Sequence, residues 1–312
     1  MAVSSGVWAE AIPLQTAWGL REVSSRDGQP KSMKEELDRI GYTGECAASY
    51  RTNPFAAHFE LHIERGPILE DLKQKLGVAF KWFNITVKGR DSHAGTTPLS
   101  ARKDPVLCAS KLVVAANTVA HDFSGFATTG IFTTDPGSVN TMPHTAKFSL
   151  DMRHVEDAVL GEMVRRCEEE LERIGKDDSG QGCIVEWKLL FDSPAVQFHP
   201  DCIAAVEASA ADVCSTLPEA GEHKLFRPII SGAGHDSCYT NLQVPISMVF
   251  TLTREGISHN PTEYCSSEDW YDYSHHPDLL NESDMCKARW VPNVLLGTVL
   301  RYDKLRAGKQ MP

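Results

Sequence analysis

Imidazoles, carboxylates and arginines recur in four polar clusters, each next to an apolar segment of the sequence. The clusters are LHIERGP with His62, Glu64 and Arg65; GRDSHAGTTP with Asp91 and His93; GSVNTMP and DMRH with Asn140 and Arg153; and SGAGHDS and GISHNPTE with His235, Asp236, His259 and Glu263. Neutral imidazoles and carboxylates are the ligands that zinc, manganese or iron would take in a hydrolase. An arginine and an asparagine suit the binding of a substrate carboxylate. The clusters therefore raise the hypothesis of a metal-dependent hydrolase site.

Each of these residues also has a purely structural interpretation. His62 could be a satisfied histidine on a half-exposed strand, and His93 could cap the turn DSHAGTTP. Arg153 could pair with Glu156 on the surface, and Asp236 could be the N-cap of a helix. The candidate ligands are too far apart in sequence for their spacing to indicate a metal site, so the residues alone do not decide whether one is present.

The elements that must position these residues follow from two kinds of apolar periodicity. AAHFELHIERG alternates Phe59, Leu61 and Ile63 with polar residues, which predicts a strand with a histidine-bearing face. SMKEELDRIG predicts a short helix that ends at Gly41. Towards the C-terminus, PDCIAAVEASAADVCSTL predicts a helix, HKLFRPIISGAGHD and VPISMVFTLTRE predict strands, and VPNVLLGTVLRYDKLRA predicts a closing helix. This alternation implies a mixed or parallel α/β sheet whose functional loops lie beyond the carboxyl ends of the strands.

Residues 80–193 have a different organisation. Their segments are GVAFKWFNITVKG, PLSARKDPVLCASKLVVAANTVAHDF, FATTGIFTTD, HTAKFSLDMRH, DAVLGEMVRRCEEELERIG and GCIVEWKLLF. Read in order they give β-α-β-β-α-β, the order of a ferredoxin-like sandwich with two helices on one face of the sheet. We therefore predict a compact domain at 80–193 that is inserted into a domain made of residues 1–79 and 194–312.

Composition excludes several classes of function. The 312 residues are 42% hydrophobic and 23% charged, as in an ordinary globular protein, and carry a formal net charge of −11. That charge argues against nucleic acid and against an anionic membrane surface as partners. The longest apolar runs, such as KLVVAANTVA, are too short to span a bilayer. Nine scattered cysteines without a CxxC pair fit reduced thiols, and no secretory signal is evident, so we expect a cytoplasmic location.

Six motifs together resemble one enzyme family. They are FELHIERGPILE, VKGRDSHAGTTPLSARKDP, GSVNTMP, SLDMRH, SGAGHDS and GISHNPTEYCSSED, in the order and at the spacing of that family. The sequence resembles the branch of aminoacylase-like zinc metallopeptidases that contains the N-carbamoyl-L-amino-acid hydrolases, the β-ureidopropionases and the allantoate amidohydrolases. The resemblance runs from near the N-terminus to about Asp269 and resumes at LLGTVLRYDKL. It implies an α/β catalytic domain with a mixed sheet, interrupted by a ferredoxin-like lid that also forms a homodimer contact.

The resemblance also implies a reaction and its metals. Two ions per subunit, zinc or manganese, would be held in part by His62 and His259, one residue on each ion. A metal-bridging hydroxide would attack a ureido or amide carbon, because bound metal lowers the pKa of water and a neighbouring carboxylate carries the proton. Hydrolysis of an N-carbamoyl-amino acid in this way would yield an amino acid, ammonia and carbon dioxide.

The substrate-binding residues implied by the resemblance lie mainly in the lid. His93 resembles the lid histidine that polarises the scissile carbonyl, and Asn140 and Arg153 resemble the residues that hold the substrate carboxylate. His235 matches a further substrate-site histidine. Arg65 stands where the family commonly has glutamine in HIEQG, and this cation could bind a substrate carboxylate, repel the metals or turn to solvent.

Two other departures from the family pattern affect the expected function. The family's His-x-Asp strand end, metal-bridging Asp and Glu-Glu pair supply further ligands and the general base, and they are not identifiable ahead of His58. The stretch WYDYSHHPDLLNESDMCKARWVPN reads as an inserted solvated loop. We therefore expect His62 and His259 alone to bind metal weakly. Two hypotheses follow: a metal-dependent amidohydrolase of N-carbamoyl-amino acids or related linear ureides and amides, and a non-catalytic remnant that dimerises through the lid and binds a small carboxylate.

Overall fold

A computed structural model describes most of the chain, namely residues 2–23, 28–64, 79–176, 182–215, 229, 231, 233–251, 253–265 and 290–308. The helices and strands in chain order are α1 (Val3–Trp8), α2 (Leu14–Trp18), α3 (Met33–Arg39), β1 (His58–Ile63), β2 (Ala79–Lys88), β3 (Ser92–His93), α4 (Pro105–Asp122), β4 (Phe126–Thr128), β5 (Phe132–Asp135), β6 (Thr141–Met142), β7 (Thr145–His154), α5 (Asp157–Lys176), β8 (Ile184–Ser193), α6 (Pro200–Ser215), α7 (Ser237–Thr240), β9 (Ile246–Thr251) and α8 (Trp290–Gly308). The fold is mixed α/β, as predicted.

The chain divides into two compact units. Unit 1 comprises Met1–Leu76 and Gln197–Pro312, and unit 2 comprises Gly77–Val196. Three predictions fall outside the described residues: the placement of Arg65, most of the strand predicted in HKLFRPIISGAGHD, and the inserted loop after Asp269. Within the described ranges, no helix is long and apolar enough to cross a bilayer.

Unit 1 is organised around two parallel strands. β1 pairs with β9 in parallel register, with His58 opposite Ile246 and Ile63 opposite Thr251. Leu61 and Phe59 point to the side of the pair that packs on small apolar clusters from α6 and α8. Because side chains alternate along a strand, His58, Glu60 and His62 share the opposite face. The predicted polar face of β1 is confirmed, and the parallel pair is consistent with the mixed or parallel sheet that was predicted.

The helix α3 of unit 1 is stabilised by the capping residues at its two ends more than by packing. Ser32 accepts a hydrogen bond from the Glu35 amide, and the Glu35 carboxylate accepts one from the Ser32 amide, which together form a capping box. Gly41 takes a positive φ of 71° just after the helix, as expected for a glycine at that position. No residue of α3 is buried, so its predicted apolar face is largely solvent-exposed.

Unit 2 is an antiparallel sheet covered by two helices. The strand order is β4-β7-β2-β8, and β5 pairs with β7 as well. α4 and α5 cover one face of this sheet, where Ile85, Phe148 and Leu150 are almost fully buried. The order β2-α4-β4/β5-β7-α5-β8 matches the predicted β-α-β-β-α-β order, with FATTGIFTTD divided into β4 and β5 and the two short strands β3 and β6 in addition. The role of this unit as a lid stays a prediction. α4 begins at Pro105, and the Asp104 carboxylate caps it by accepting hydrogen bonds from two backbone amides.

Candidate metal centre

The candidate site is built on the polar face of β1. The alternation of β1 places His58, Glu60 and His62 on one face, opposite Ile246, Met248 and Phe250 of β9 in the register of the pair. Since these three side chains follow each other at intervals of two residues, they form a short row. The row ends with His62, one residue before the carboxyl end of β1.

A residue from a distant part of the chain joins Glu60 and His62 in a cluster of metal-ligating types. Ligand atoms of Glu60, His62 and His235 all lie within 4.8 Å of one another. The rings of His62 and His235 meet edge to face, with centroids 4.6 Å apart and planes at 70°. His235 is only 6% exposed, whereas Glu60 and His62 are half-buried. The structure therefore brings together two histidines that the sequence analysis assigned to different roles.

The Glu60 carboxylate is held by the residue that opens α7. The amide and the hydroxyl of Ser237 both donate to Glu60 Oε2, at 3.0 and 2.7 Å. His58 Nε2 lies 3.5 Å from the same oxygen. Burial alone would raise the pKa of Glu60, but His58 and the Ser237 hydrogen bonds outweigh it and lower that pKa to about 2. Glu60 is therefore a carboxylate anion at neutral pH.

Both histidines of the cluster have a second ring nitrogen in contact with an outer partner. His62 Nδ1 lies 2.8 Å from the Ile63 carbonyl oxygen, which can only accept, so Nδ1 carries the proton and Nε2 carries the lone pair. His235 Nε2 lies 2.6 Å from the Ser231 hydroxyl. His235 Nδ1 lies 3.9 Å from Glu60 Oε1. Outer hydrogen bonds of this kind orient imidazoles that ligate metals.

The chemistry of this donor set suits one divalent ion. Two imidazoles and one carboxylate are ligands that zinc accepts, with a fourth position left for water in catalytic sites. At metal–ligand distances of about 2.1 Å, tetrahedral ligands lie roughly 3.4 Å apart. His235 Nδ1 and Glu60 Oε1 lie 3.9 Å apart, and all ligand atoms of the cluster lie within 4.8 Å of one another, so an ion would require the side chains to move closer together. The residues present thus fit a metal ion, and the same set would accept manganese.

His259, the second ligand implied by the resemblance, is not a member of this three-residue cluster. It is exposed and has a φ of 58°, a left-handed conformation that is unfavourable for a residue with a Cβ. Its amide donates to Glu263 Oε2 at 2.8 Å. The Asn260 side chain accepts from the amide and the hydroxyl of Thr262 in the same turn. The side chain of Glu263 thus shapes the GISHNPTE loop, and the ligand role of His259 stays a prediction.

Two residues of unit 2 with implied substrate roles lie next to each other. β3 pairs with β6 so that His93 is opposite Thr141, and the Ala94 amide donates to the Asn140 carbonyl at 2.9 Å. The Gly95 amide donates to His93 Nδ1 at 3.0 Å, so His93 caps its turn, as one interpretation held. A neutral His93 must then carry its proton on Nε2. The Asn140 side-chain oxygen accepts from the Ser138 hydroxyl at 2.9 Å.

Arg153 is fixed within unit 2 by a partner that was not predicted. Its guanidinium forms a two-point ion pair with Asp151, with Nε 3.0 Å from Oδ1 and Nη2 2.6 Å from Oδ2. It also lies over the Phe80 ring, 5.1 Å from the centroid. The suggested pair with Glu156 is wrong, because residues two apart on β7 share a face whereas Glu156 follows the end of that strand.

Comparison with known proteins decides the family. Residues 31–275 match the model of the peptidase family M20/M25/M40. The chain belongs to this family. Its metal-dependent hydrolases include the branch that the six motifs resemble, so that part of the sequence analysis is confirmed.

Three M20-family proteins show how the similarity is distributed. The chain is 31% identical over 273 residues to an N-carbamoyl-L-amino-acid amidohydrolase of Rhizobium meliloti, which covers 85% of this chain and 61% of that protein. It is 29% identical over 244 residues to the allantoate amidohydrolase of Escherichia coli strain K12, covering 76% of this chain and 56% of that protein. The crystal structure of an amidase of the hydantoinase/carbamoylase family from Burkholderia vietnamiensis superimposes with a TM-score of 0.75 at 35% identity, over 96% of this chain and 66% of that one. The chain thus spans less than two thirds of the length of these M20-family relatives.

Sequence reasoning missed two residues of the candidate site. Glu60 was identified only as part of the polar face of β1, and Ser237 was not singled out at all. The alternation of β1 was a sufficient signal that Glu60 and His62 share a face. No local signal pointed to Ser237, since its partner lies 177 positions away. Asp236 does occupy the N-cap position of α7, but its side chain makes no capping hydrogen bond.

Proposed function

We propose that this protein is a metal-dependent amidohydrolase that cleaves a carbon–nitrogen bond, other than a peptide bond, in an N-carbamoyl-L-amino acid or a related linear ureide or amide. The observation that carries the proposal is the Glu60–His62–His235 cluster at the end of β1. The relatives named as amidohydrolases of N-carbamoyl-L-amino acids and of allantoate support the substrate class. The same proposal includes zinc or manganese as the metal and a homodimer formed through unit 2, both of which rest on the resemblance. It also includes a cytoplasmic location, which rests on the composition.

The residues of unit 1 would hold the ion and the reacting water. A divalent ion bound there lowers the pKa of a coordinated water into the neutral range. His62 and His235 offer ring nitrogens to the ion, and both rings are oriented by the Ile63 carbonyl and the Ser231 hydroxyl respectively. His259 is proposed as a further ligand, since the Glu263 carboxylate holds its backbone in an uncommon conformation.

The residues of unit 2 would recognise the substrate. His93 is suited to polarise a carbonyl, because its tautomer places a donor hydrogen on Nε2. Arg153 is suited to bind a carboxylate, because Asp151 and Phe80 fix the plane of its guanidinium. Asn140, next to His93 on the β3–β6 pair, offers an amide for the same carboxylate. Arg65 is proposed as a substrate-binding cation by its position in the sequence alone.

A second candidate function is the binding of a small carboxylate without catalysis. The fixed guanidinium of Arg153 favours it, because carboxylate recognition by such a group does not require the metal cluster. The two functions differ in their need for metal. The catalytic one requires an ion at His62, and the binding one does not.

The test is turnover and metal content measured on the same purified chain. After dialysis, we expect zinc or manganese by elemental analysis and ammonia release from N-carbamoyl-L-alanine, both lost in His62→Ala. The matched control is His121→Ala, a substitution of an exposed histidine in the last turn of α4, which should retain both. The proposed function would be overturned if the wild-type chain binds neither zinc nor manganese and hydrolyses no ureido or amide substrate when either metal is added. Binding of a small carboxylate by that chain would then favour the second candidate.

A further inference from the structure

Glu60 belongs to neither set of residues that the resemblance assigns to the metals or to the substrate. We infer that Glu60 is itself a metal ligand, and that Ser237 is the residue that positions its carboxylate for the ion. The inference rests on the proposed function for the presence of a metal. It adds a ligand and a positioning residue to which the resemblance assigns no role.

The two oxygens of the Glu60 carboxylate have different environments. Oε2 accepts both Ser237 hydrogen bonds and lies nearest to His58. Oε1 faces His235 Nδ1 at 3.9 Å, which is beyond the length of a hydrogen bond and close to the spacing of two ligands on one ion. A carboxylate held through one oxygen presents the other in a defined direction. That is the arrangement of an oriented monodentate ligand.

Burial makes a purely passive role for this carboxylate costly. The Glu60 side chain is 16% exposed and the facing His235 side chain is 3% exposed. A carboxylate in such a place is destabilising unless both of its oxygens have polar partners. Two hydrogen bonds from Ser237 stabilise Oε2, and a cation beside Oε1 would stabilise that oxygen and bind the two imidazoles. A bound ion would account for a charged side chain between the two histidines.

Ser237 is itself fixed well enough to act as a positioning residue. It is 1% exposed, and the short helix α7 that it begins packs on both β1 and β9. Because its amide and hydroxyl donate to the same oxygen, removal of the hydroxyl leaves one hydrogen bond and lets the carboxylate turn about it. We expect a weaker metal site after that change, with the fold intact.

The experiment measures zinc affinity by competition with a chromophoric chelator, on the full chain and without substrate. Glu60→Gln should weaken binding by roughly 100-fold or more, and Ser237→Ala by about 10-fold, the scale known for the residues that orient metal ligands. In the Glu60→Gln background, Ser237→Ala should have no further effect, since it acts through that carboxylate. Cobalt-loaded Glu60→Gln should also show a changed visible absorption spectrum, which a remote structural defect would not produce.

The matched control is Ser209→Ala, a substitution of another buried serine of unit 1 whose hydroxyl only donates to the Ala205 carbonyl within α6. It should bind zinc like the wild type. Zinc binding by Glu60→Gln within twofold of wild type would overturn the ligand role, and an equal effect of Ser237→Ala in both backgrounds would overturn its positioning role. Circular dichroism verifies folding, and Glu60→Asp, which keeps the charge but shortens the reach, should show an intermediate loss if Glu60→Gln does not fold.

The outcomes separate this inference from the function on which it rests. If the chain binds zinc through Glu60 but hydrolyses no ureide or amide, the proposed function is wrong and the metal site stands. If the chain hydrolyses substrate and binds metal independently of Glu60, the proposed function stands and the ligand role of Glu60 is wrong.

Discussion

The two units keep their elements in place by different means. In unit 2, twenty buried residues form one cluster that includes residues of β2, β7, α4 and α5, so packing determines the positions of these main elements. In the described part of unit 1 the two apolar clusters contain only four and three buried residues, and the Glu60 side chain of the site is held by hydrogen bonds from Ser237. The difference shows that a unit with little described core can still orient a polar cluster when hydrogen bonds hold its side chains.

The largest expected effect tests the packed core of unit 2. Phe148→Ala removes a side chain that is 1% exposed, and it should lower the free energy of unfolding by about 3–5 kcal/mol because it leaves a cavity. Urea titration followed by circular dichroism measures this. The matched control is Phe126→Ala in the same sheet, where the side chain is 65% exposed and the change should stay within about 0.5 kcal/mol. Equal losses for the two variants would contradict a core that lies on one face of the sheet.

A smaller effect compares the N-caps of one helix in each unit. Asp104→Ala removes two hydrogen bonds from the start of α4, whose apolar residues lie in the large cluster, and should cost about 1–2 kcal/mol of unfolding free energy. Ser32→Ala removes the capping box of α3, which buries no residue. We expect it to fray α3 while the urea midpoint of the whole chain changes little. A midpoint shift for Ser32→Ala as large as that for Asp104→Ala would mean that α3 contributes to a core.

The smallest effect uses one glycine in a helix of each unit. Gly161→Ala in α5 places a methyl group in open space, so it should stabilise unit 2 by about 0.5–1 kcal/mol through helix propensity. Gly297→Ala in α8 places its Cβ 3.2 Å from Ser209 Oγ and 3.3 Å from Ser209 Cβ of α6. That close approach should cancel or reverse the gain. Thermal unfolding of both variants measures the difference, and a clear gain in stability for Gly297→Ala would show that α6 and α8 are loosely packed.

The sequence allowed much of the fold to be predicted, because its signals were local. The alternation around Phe59 to Ile63 specified β1, and the long amphipathic pattern of α5 left little choice of structure. The two-residue strands β3 and β6 were not predicted, since two residues show no periodicity. They place His93 beside Asn140, so the missed elements are those that assemble part of the proposed substrate site.

The sequence predicted some residues of the candidate site but not their arrangement in space. His62 and His235 were identified from chemistry and motif, but their ring contact depends on a turn of chain far from β1. Arg153 shows the same limit at short range, because its observed partner Asp151 and its suggested partner Glu156 are both near in sequence. Only the side-chain directions along β7 distinguish the two, and those follow from the strand geometry.

Two hydrogen bonds just beyond the ends of β1 and β9 affect how this strand pair of unit 1 unfolds locally. The Glu64 amide donates to the Thr251 carbonyl at 2.7 Å, and the Thr253 hydroxyl donates to the Glu64 carbonyl. These bonds carry the pairing past β1 and β9, to the points where the chain leaves both strands. The amide hydrogen of Glu64 should then exchange with deuterium at the same rate as the interior of the strand pair. The backbone segments that follow β1 and β9 would then unfold together as a single cooperative unit.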